Sequence, residues 1–253
     1  MISITEGQIL AWLTPLLWPF FRALALLASL PVFSQRAVPM RVKIGFALFI
    51  ALAAQPSLPA IPVIALDSPQ AVLVLVQQLL VGITLGFAVR LVFAAVELGG
   101  ELIGLQMGLN FAGFFDPATA SQGTASGRFF GTLVAFLFVL ANGHLAVIAA
   151  LVRSFEVFAV GDEPFAFLRQ TQPQQWGAEV FMLGLWIALP LVGMLLFVNL
   201  VLGVISRVAP QISVFSVGFP ITVTVGLIGM LLTLPLLEQP FAMALQRMIA
   251  NFQ

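Results

Sequence analysis

From residue 69 to residue 109 the chain runs apolar almost throughout, with no convincing turn signal until Gly99-Gly100. As one helix rising about 1.5 Å per residue, that stretch would be roughly 60 Å long, twice the hydrocarbon thickness of a bilayer. Either it folds back near Gly99-Gly100, or much of its length is packed against something other than lipid. In a 253-residue sequence that is 61% hydrophobic and 8% charged, both arrangements belong to the membrane class. The expected fold class is all-α, a polytopic membrane protein of long helical hairpins.

Five further stretches qualify as spans, or nearly so, against a requirement of roughly 20 apolar residues. Residues 9–33 carry Pro15, Pro19 and Arg22, an arginine whose apolar neighbours imply burial. Residues 42–54 are short and end in the proline-rich turn 55–62. Residues 129–151 read as a clean span, followed by a more polar segment through Asp162, Glu163, Arg169 and Pro173. Residues 180–205 and 214–237 are separated by a turn around Pro210. The N-terminus has no basic region before its first apolar stretch, which also outruns a signal sequence, so the first helix is expected to be retained. With the N-terminus outside and a reversal inside the third stretch, Arg36, Arg41, Lys43, Arg90, Arg153, Arg169 and Arg247 fall on the cytoplasmic side. Only Arg128 and Arg207 then lie outside, which predicts an N-out, C-in topology. No internal repeat stands out, and one helical membrane domain, 1–253, is expected, without a soluble module large enough for its own core.

Composition also removes whole classes of function. Ten basic and ten acidic residues leave no basic surface for nucleic acid. Cysteine is absent, which excludes disulfides, thiolate catalysis and cysteine metal sites. The single histidine, His144, sits in an apolar run with no neighbouring ligands and reads as structural or interfacial. There is no GxGxxG, P-loop, HExxH or nucleophile elbow, so neither an enzyme nor a cofactor is expected.

Four constellations stand out. The loop Asn110-Phe111-Ala112-Gly113-Phe114-Phe115-Asp116-Pro117 is too rich in Phe and Gly for an ordinary solvated connection. It reads as a gasket or as an interface loop whose rings dip into lipid. Glu97 and Glu101 share one helix face, continued by Gly104, Gly108, Phe111 and Phe115, with Arg90 two turns earlier as a candidate counter-charge. A carboxylate at the bilayer centre costs about 2.5–3.5 kcal/mol, so these acids should face protein or water. They line a helix contact or an aqueous cavity within an assembly, or else form a proton or cation pathway. Gly100, Gly104 and Gly108, like Gly82 and Gly86, repeat every fourth residue and favour close packing against other subunits. Finally, Pro210 should end the helix beginning near residue 180, with Arg207 near its free carbonyls and Gln211, Phe215, Gly218 and Pro220 completing a hairpin turn.

Taken in order, several motifs resemble the FliR family of flagellar export-gate proteins, related to the SctT proteins of type III secretion. They are Arg22, Pro31-Val-Phe-Ser-Gln-Arg36-Ala-Val-Pro39-Met-Arg41-Val-Lys43, Gly100-Glu101-Leu-Ile-Gly104-Leu-Gln106-Met-Gly108, Phe115-Asp116-Pro117, Asn142-Gly143-His144-Leu145, Ser154-Phe155 and Arg207-Val-Ala-Pro210-Gln211. Two positions depart from the family pattern, Ser213, where Asn is frequent, and Thr222, near which a basic residue is frequent. The Asp116-Pro117 loop is closer to the flagellar branch than to the virulence-secretion branch.

The resemblance implies a multi-pass protein of the bacterial inner membrane and flagellar basal body, passing unfolded flagellar proteins outward. It implies one copy of this chain with several of FliP and FliQ in a helical, cone-like gate, with FlhB as a further partner. Residues 1–178 would resemble FliP and residues 179–253 FliQ. Residues 106–122 would plug the closed pore, with Gln106, Gly108, Phe111, Gly113, Phe114, Phe115, Asp116 and Pro117 as its elements. The competing reading is an ion- or proton-coupled transporter subunit using Glu97 and Glu101.

Overall fold

The computed structural model describes residues 6–34, 38–109, 124–161, 163, 165–209, 211 and 214–252. Among them every regular element is helical, as the composition requires. The main helices are α1 (Glu6–Ser29), α2 (Met40–Ala54), α3 (Pro69–Met107), α4 (Ala125–Leu140), α5 (Gly143–Val157), α6 (Gly177–Val208), α7 (Phe219–Thr233) and α8 (Glu238–Ala250). Short turns of helix occupy Pro31–Ser34 and Ala166–Thr171.

The overlong stretch is one continuous helix of 39 residues. Gly99 and Gly100 do not turn it back, because each is a point of close approach. Gly99 lies against the Gly184 carbonyl of α6, and a Cβ at Gly100 would stand 2.7 Å from the Phe130 ring of α4. A break would also free backbone N–H and C=O groups where no water can meet them, at several kcal/mol each. With the reversal goes the count of basic residues that depended on it, so the expected N-out, C-in topology loses its premise.

The stretch 129–151 is not a clean span either. It is split into α4 and α5, which are bent by 67°. Asn142 sits between them at φ 54°, ψ 27°, a left-handed conformation that Asn tolerates better than most residues. The Ala141 N–H closes α4 on Leu137, and the Asn142 carbonyl accepts from Leu145 and Ala146 to open α5. The dipeptide Asn142-Gly143 is an ordinary turn signal. Helix α2 holds only 15 residues, about 22 Å, too short to cross a bilayer. Against six expected stretches, the described residues hold four helices long and apolar enough to cross, or five if the bent α4–α5 pair is one span.

Helix α6 keeps Pro190 inside and ends at Val208, directly before the Ala209-Pro210 step that was expected to stop it. The chain passes through a wide turn at Val214–Gly218 and restarts as α7, with Pro220 in its first turn. A 3₁₀ turn, Leu234–Leu237, leads into α8.

By packing, the described residues fall into two compact units. One draws on Met1–Leu91, Asn142–Trp176 and Leu245–Gln253. Its core holds Trp18, Ile64, Ala71, Val74, Phe155 and Val160, and Phe252 meets the rings of Phe158 and Trp176 edge to face. Helix α1 lies on α3 across Gly82 and Gly86. A Cβ at Gly82 would collide with the Arg22 carbonyl and stand 2.8 Å from the Ala25 methyl, and one at Gly86 would meet Ser29. The other unit draws on Val92–Ala141 and Gly177–Ala244. There Phe93 packs edge to face on Phe138 and Phe241, and Gly104 faces Thr124 and Ser126. The glycine stripes at 82/86 and 100/104 are thus occupied within the chain, not left for other subunits as the spacing had suggested.

Replacing Gly82 by Ala should cost the detergent-solubilised protein about 1–3 kcal/mol of stability by forcing α1 off α3. Gly45, with nothing within 4 Å of its would-be Cβ, should accept Ala with no loss. Thermal unfolding of the two variants checks the pair, and equal midpoints would contradict this packing.

Candidate functional site

Polar side chains are scarce in these helices, and several of them reach the ends of neighbouring helices. Arg22 is fully buried in α1. Its Nε donates to Gln78 Oε1 at 2.8 Å. Nη1 donates to the carbonyl and hydroxyl oxygens of Ser154 at 2.8 and 3.0 Å. Nη2 donates to the Phe158 carbonyl at 2.9 Å, and the guanidinium lies 3.7 Å from the centre of the Phe155 ring. All four bonds end on neutral oxygens. Two of those oxygens are carbonyls from the end of α5, where the partial negative charge of the helix collects. Gln78 in turn donates to Gln77, whose amide donates to the Ala159 carbonyl and accepts from Gly161. Gly161 adopts φ 101°, so this chain of side chains fixes the path by which the backbone leaves α5.

The second cluster flanks the Phe-rich loop. Phe111, Gly113, Phe114, Phe115, Asp116 and Pro117 lie outside the described residues, which stop at Leu109 and resume at Thr124. At the end of α3, the Gln106 carbonyl accepts from Asn199 Nδ2 of α6 at 3.3 Å, and the Met107 carbonyl accepts from Thr222 Oγ1 of α7 at 3.2 Å. The Met107 side chain is buried and fills a notch at Gly226, where a Cβ would come 2.6 Å from its sulfur. Gly108 then takes φ 82°, the left-handed conformation that ends helices and favours glycine.

On the far side of the loop, the Glu101 carboxylate accepts from the Thr124 N–H at 2.9 and 3.1 Å. Thr124 caps α4 by accepting from the Gly127 N–H at 3.0 Å, and its hydroxyl lies 2.9 Å from that of Ser126. A carboxylate at a helix N-terminus meets its free N–H groups and the positive end of its dipole. Gly100, Glu101 and Gly104 therefore act together as the seat of α4.

The remaining candidates are placed more loosely. Glu97 is exposed and lies beside α4 at Gly131, whose would-be Cβ stands 3.0 Å from its Oε1. Arg90 is exposed on α3. Arg207 is exposed in the last turn of α6. Pro210 lies outside the described residues, Gln211 is exposed, Phe215 is described by its backbone alone, and Gly218 is buried. Within the C-terminal hairpin, Asn199 and Thr222 are the residues that reach the loop's near end. Sequence reading passed over Asn199, Gln77, Gln78 and Thr124, and treated Thr222 only as a departure. Their signal was present, since a lone amide or hydroxyl in an apolar helix needs a partner on a neighbouring one. Among the described residues no three His, Asp or Glu side chains converge to hold a metal.

These features define a multi-pass helical membrane protein whose polar side chains tie helix ends together. The chain belongs to the bacterial export proteins, family 1, which matches residues 13–248. It is similar to the flagellar biosynthetic protein FliR of Escherichia coli K12, 45% identical over 246 residues that span 95% of this chain and 92% of that protein. The protein of that name from Pectobacterium carotovorum is 43% identical over 245 residues, covering 96% and 92%. That from Bacillus subtilis is 31% identical over 216 residues, covering 83% and 82%. The family read from the motifs is the family shown.

Arg22→Leu should lower the stability of the solubilised protein by about 2–6 kcal/mol, since the Phe158 carbonyl and Gln78 Oε1 each lose a donor at about 1–3 kcal/mol. Arg22→Lys should recover only part of this, because one ammonium cannot span all three partners. Wild-type stability in the Leu variant would contradict the role given to the guanidinium.

Proposed function

We propose that the chain is a non-enzymatic channel subunit of the flagellar type III protein export gate in the bacterial inner membrane, passing unfolded flagellar proteins outward. The observation that carries this reading is the family match along residues 13–248, together with relatives named as flagellar biosynthetic proteins. FliP and FliQ are its partners in a hetero-oligomeric gate, with FlhB beside them. Within one helical membrane domain, residues 1–178 take the FliP-like part and residues 179–253 the FliQ-like part.

Two physical features support the reading. Helix α3 is too long for lipid to cover, which suits a helix sheathed by neighbouring subunits. Helix α6 leaves Phe181, Trp186, Phe197 and Leu200 exposed, an apolar surface that needs lipid or protein against it. Glu101 is engaged by the Thr124 amide, which favours a packing role over the ion-coupled alternative.

Residues 106–122 form the pore plug in this proposal. The Phe111, Phe114 and Phe115 rings exclude water and ions, while Gly108 and Gly113 let the backbone move.

Native mass spectrometry of the chain co-expressed with its FliP and FliQ counterparts tests the assembly. The expected species is a defined complex holding one copy of this chain. A stable homo-oligomer that ignores those partners would overturn the proposal and promote the ion-coupled transporter. Replacing Phe114 and Phe115 by Ala should make assembled gates leak ions, and unchanged permeability would count against the plug.

A further inference from the structure

We infer that Arg90, exposed on the open side of α3, pairs with a carboxylate of a neighbouring subunit and sets the register in which that subunit lies along the helix. The inference rests on the gate reading, in which other subunits cover α3.

The open positions of α3 form one stripe. Ile83, Phe87, Arg90, Glu97 and Leu105 are exposed and Glu101 is half-buried, at intervals of three, four or seven residues that keep them on one side of a helix. The opposite side is closed by the chain itself, where Leu85, Val89, Val92 and Val96 are buried. Among the described residues Arg90 has neither a hydrogen bond nor an ion pair.

A neighbour that covers Ile83 and Phe87 reaches Arg90 within the next turn and takes its guanidinium out of water. A cation buried without a partner is strongly disfavoured. The chain meets the same requirement at Arg22, which is buried with acceptors from Gln78, Ser154 and Phe158. Arg22 finds carbonyls because α5 ends beside it. A helix lying lengthwise on α3 keeps its carbonyls in its own hydrogen bonds and offers side chains instead. A carboxylate matches both the charge and the fork of the guanidinium.

A lipid phosphate would suit an arginine at the water edge of an apolar surface. Here the apolar surface resumes at Leu105, about four turns further on, so the counter-charge is assigned to protein. Apolar side chains tolerate sliding along a helix, whereas a charge pair is satisfied at one offset. Arg90 thereby selects one alignment of the neighbour.

The test uses the chain co-expressed with its FliP and FliQ counterparts. Native mass spectrometry should show severalfold more of this chain released from the complex for Arg90→Met and Arg90→Glu, with partial recovery in Arg90→Lys. The thermal midpoint of the chain alone should stay unchanged in all three, and a fall there would assign Arg90 a role within its own chain and overturn the inference. A photoreactive phenylalanine analogue in place of Arg90 should crosslink to a partner peptide that contains Asp or Glu. Replacing that acid by Arg should restore assembly with Arg90→Glu. Crosslinks to lipid alone would overturn the inference, as would equal retention of the Met, Glu and parent chains, and either result leaves the gate reading standing. Failure of the parent chain to assemble with these partners would overturn both.

Discussion

An apolar helix of 39 residues is about 60 Å long, and a bilayer covers half of that. The rest of the structure answers the question of what covers α3. Along its first half α1 lies close, admitted by Gly82 and Gly86. Along its second half α6 and α4 approach at Gly99, Gly100 and Gly104, and α7 takes its last residue, Met107, into the notch at Gly226. In an apolar medium such packing has no hydrophobic drive behind it, and close contact between small residues supplies the attraction instead. Positions still exposed on α3, among them Leu73, Ile83, Phe87 and Leu105, are the surface that other subunits would cover in an assembled gate.

Four polar residues follow one rule. Each serves the end of a helix other than its own: Arg22 the carbonyls closing α5, Glu101 the Thr124 N–H at the start of α4, Asn199 and Thr222 the carbonyls ending α3. Helix ends carry unpaired backbone groups and half-charges of fixed sign, and both matter most where water is scarce. A cation at a carboxyl end and a carboxylate at an amino end let the chain hold charge in an apolar interior without pairing Arg22 to an acid. A net contribution of about 1.5–3 kcal/mol for a hydrogen bond to a charged group is enough for a handful of such ties to fix the arrangement of the helices.

Much of this was legible in the residues. Hydropathy and length marked out α1, α2, α6 and α7, Pro210 placed the end of α6, and the apolar setting of Arg22 foretold its burial. The failures have physical causes. Gly99-Gly100 looked like a hinge because a glycine pair signals a turn in water, whereas between apolar helices the same pair signals contact. The glycine stripes were assigned to outside partners because spacing reveals a flat face but not what lies on it. The bend at Asn142 was hidden by the apolar run around it, although Asn-Gly marks a turn. Glu101 was recognised as a residue needing a partner. That the partner is the backbone of Thr124, across the Phe-rich loop, depends on tertiary closure that no local pattern encodes. The loop's own Phe residues were legible as unusual, and their placement lies outside the described residues.

In the gate proposed above, α3 is covered by its own chain at the glycine contacts and by other subunits at the positions left exposed. Nitroxide labels on single cysteines at Leu73, Ile83, Phe87 and Leu105 test it directly, through relaxation by a lipid-dissolved quencher. In the proposed complex with FliP and FliQ counterparts, all four labels should be shielded, and in the chain alone they should be quenched. Continued quenching of these labels inside the assembled complex would show α3 lying against lipid, and would contradict the claim.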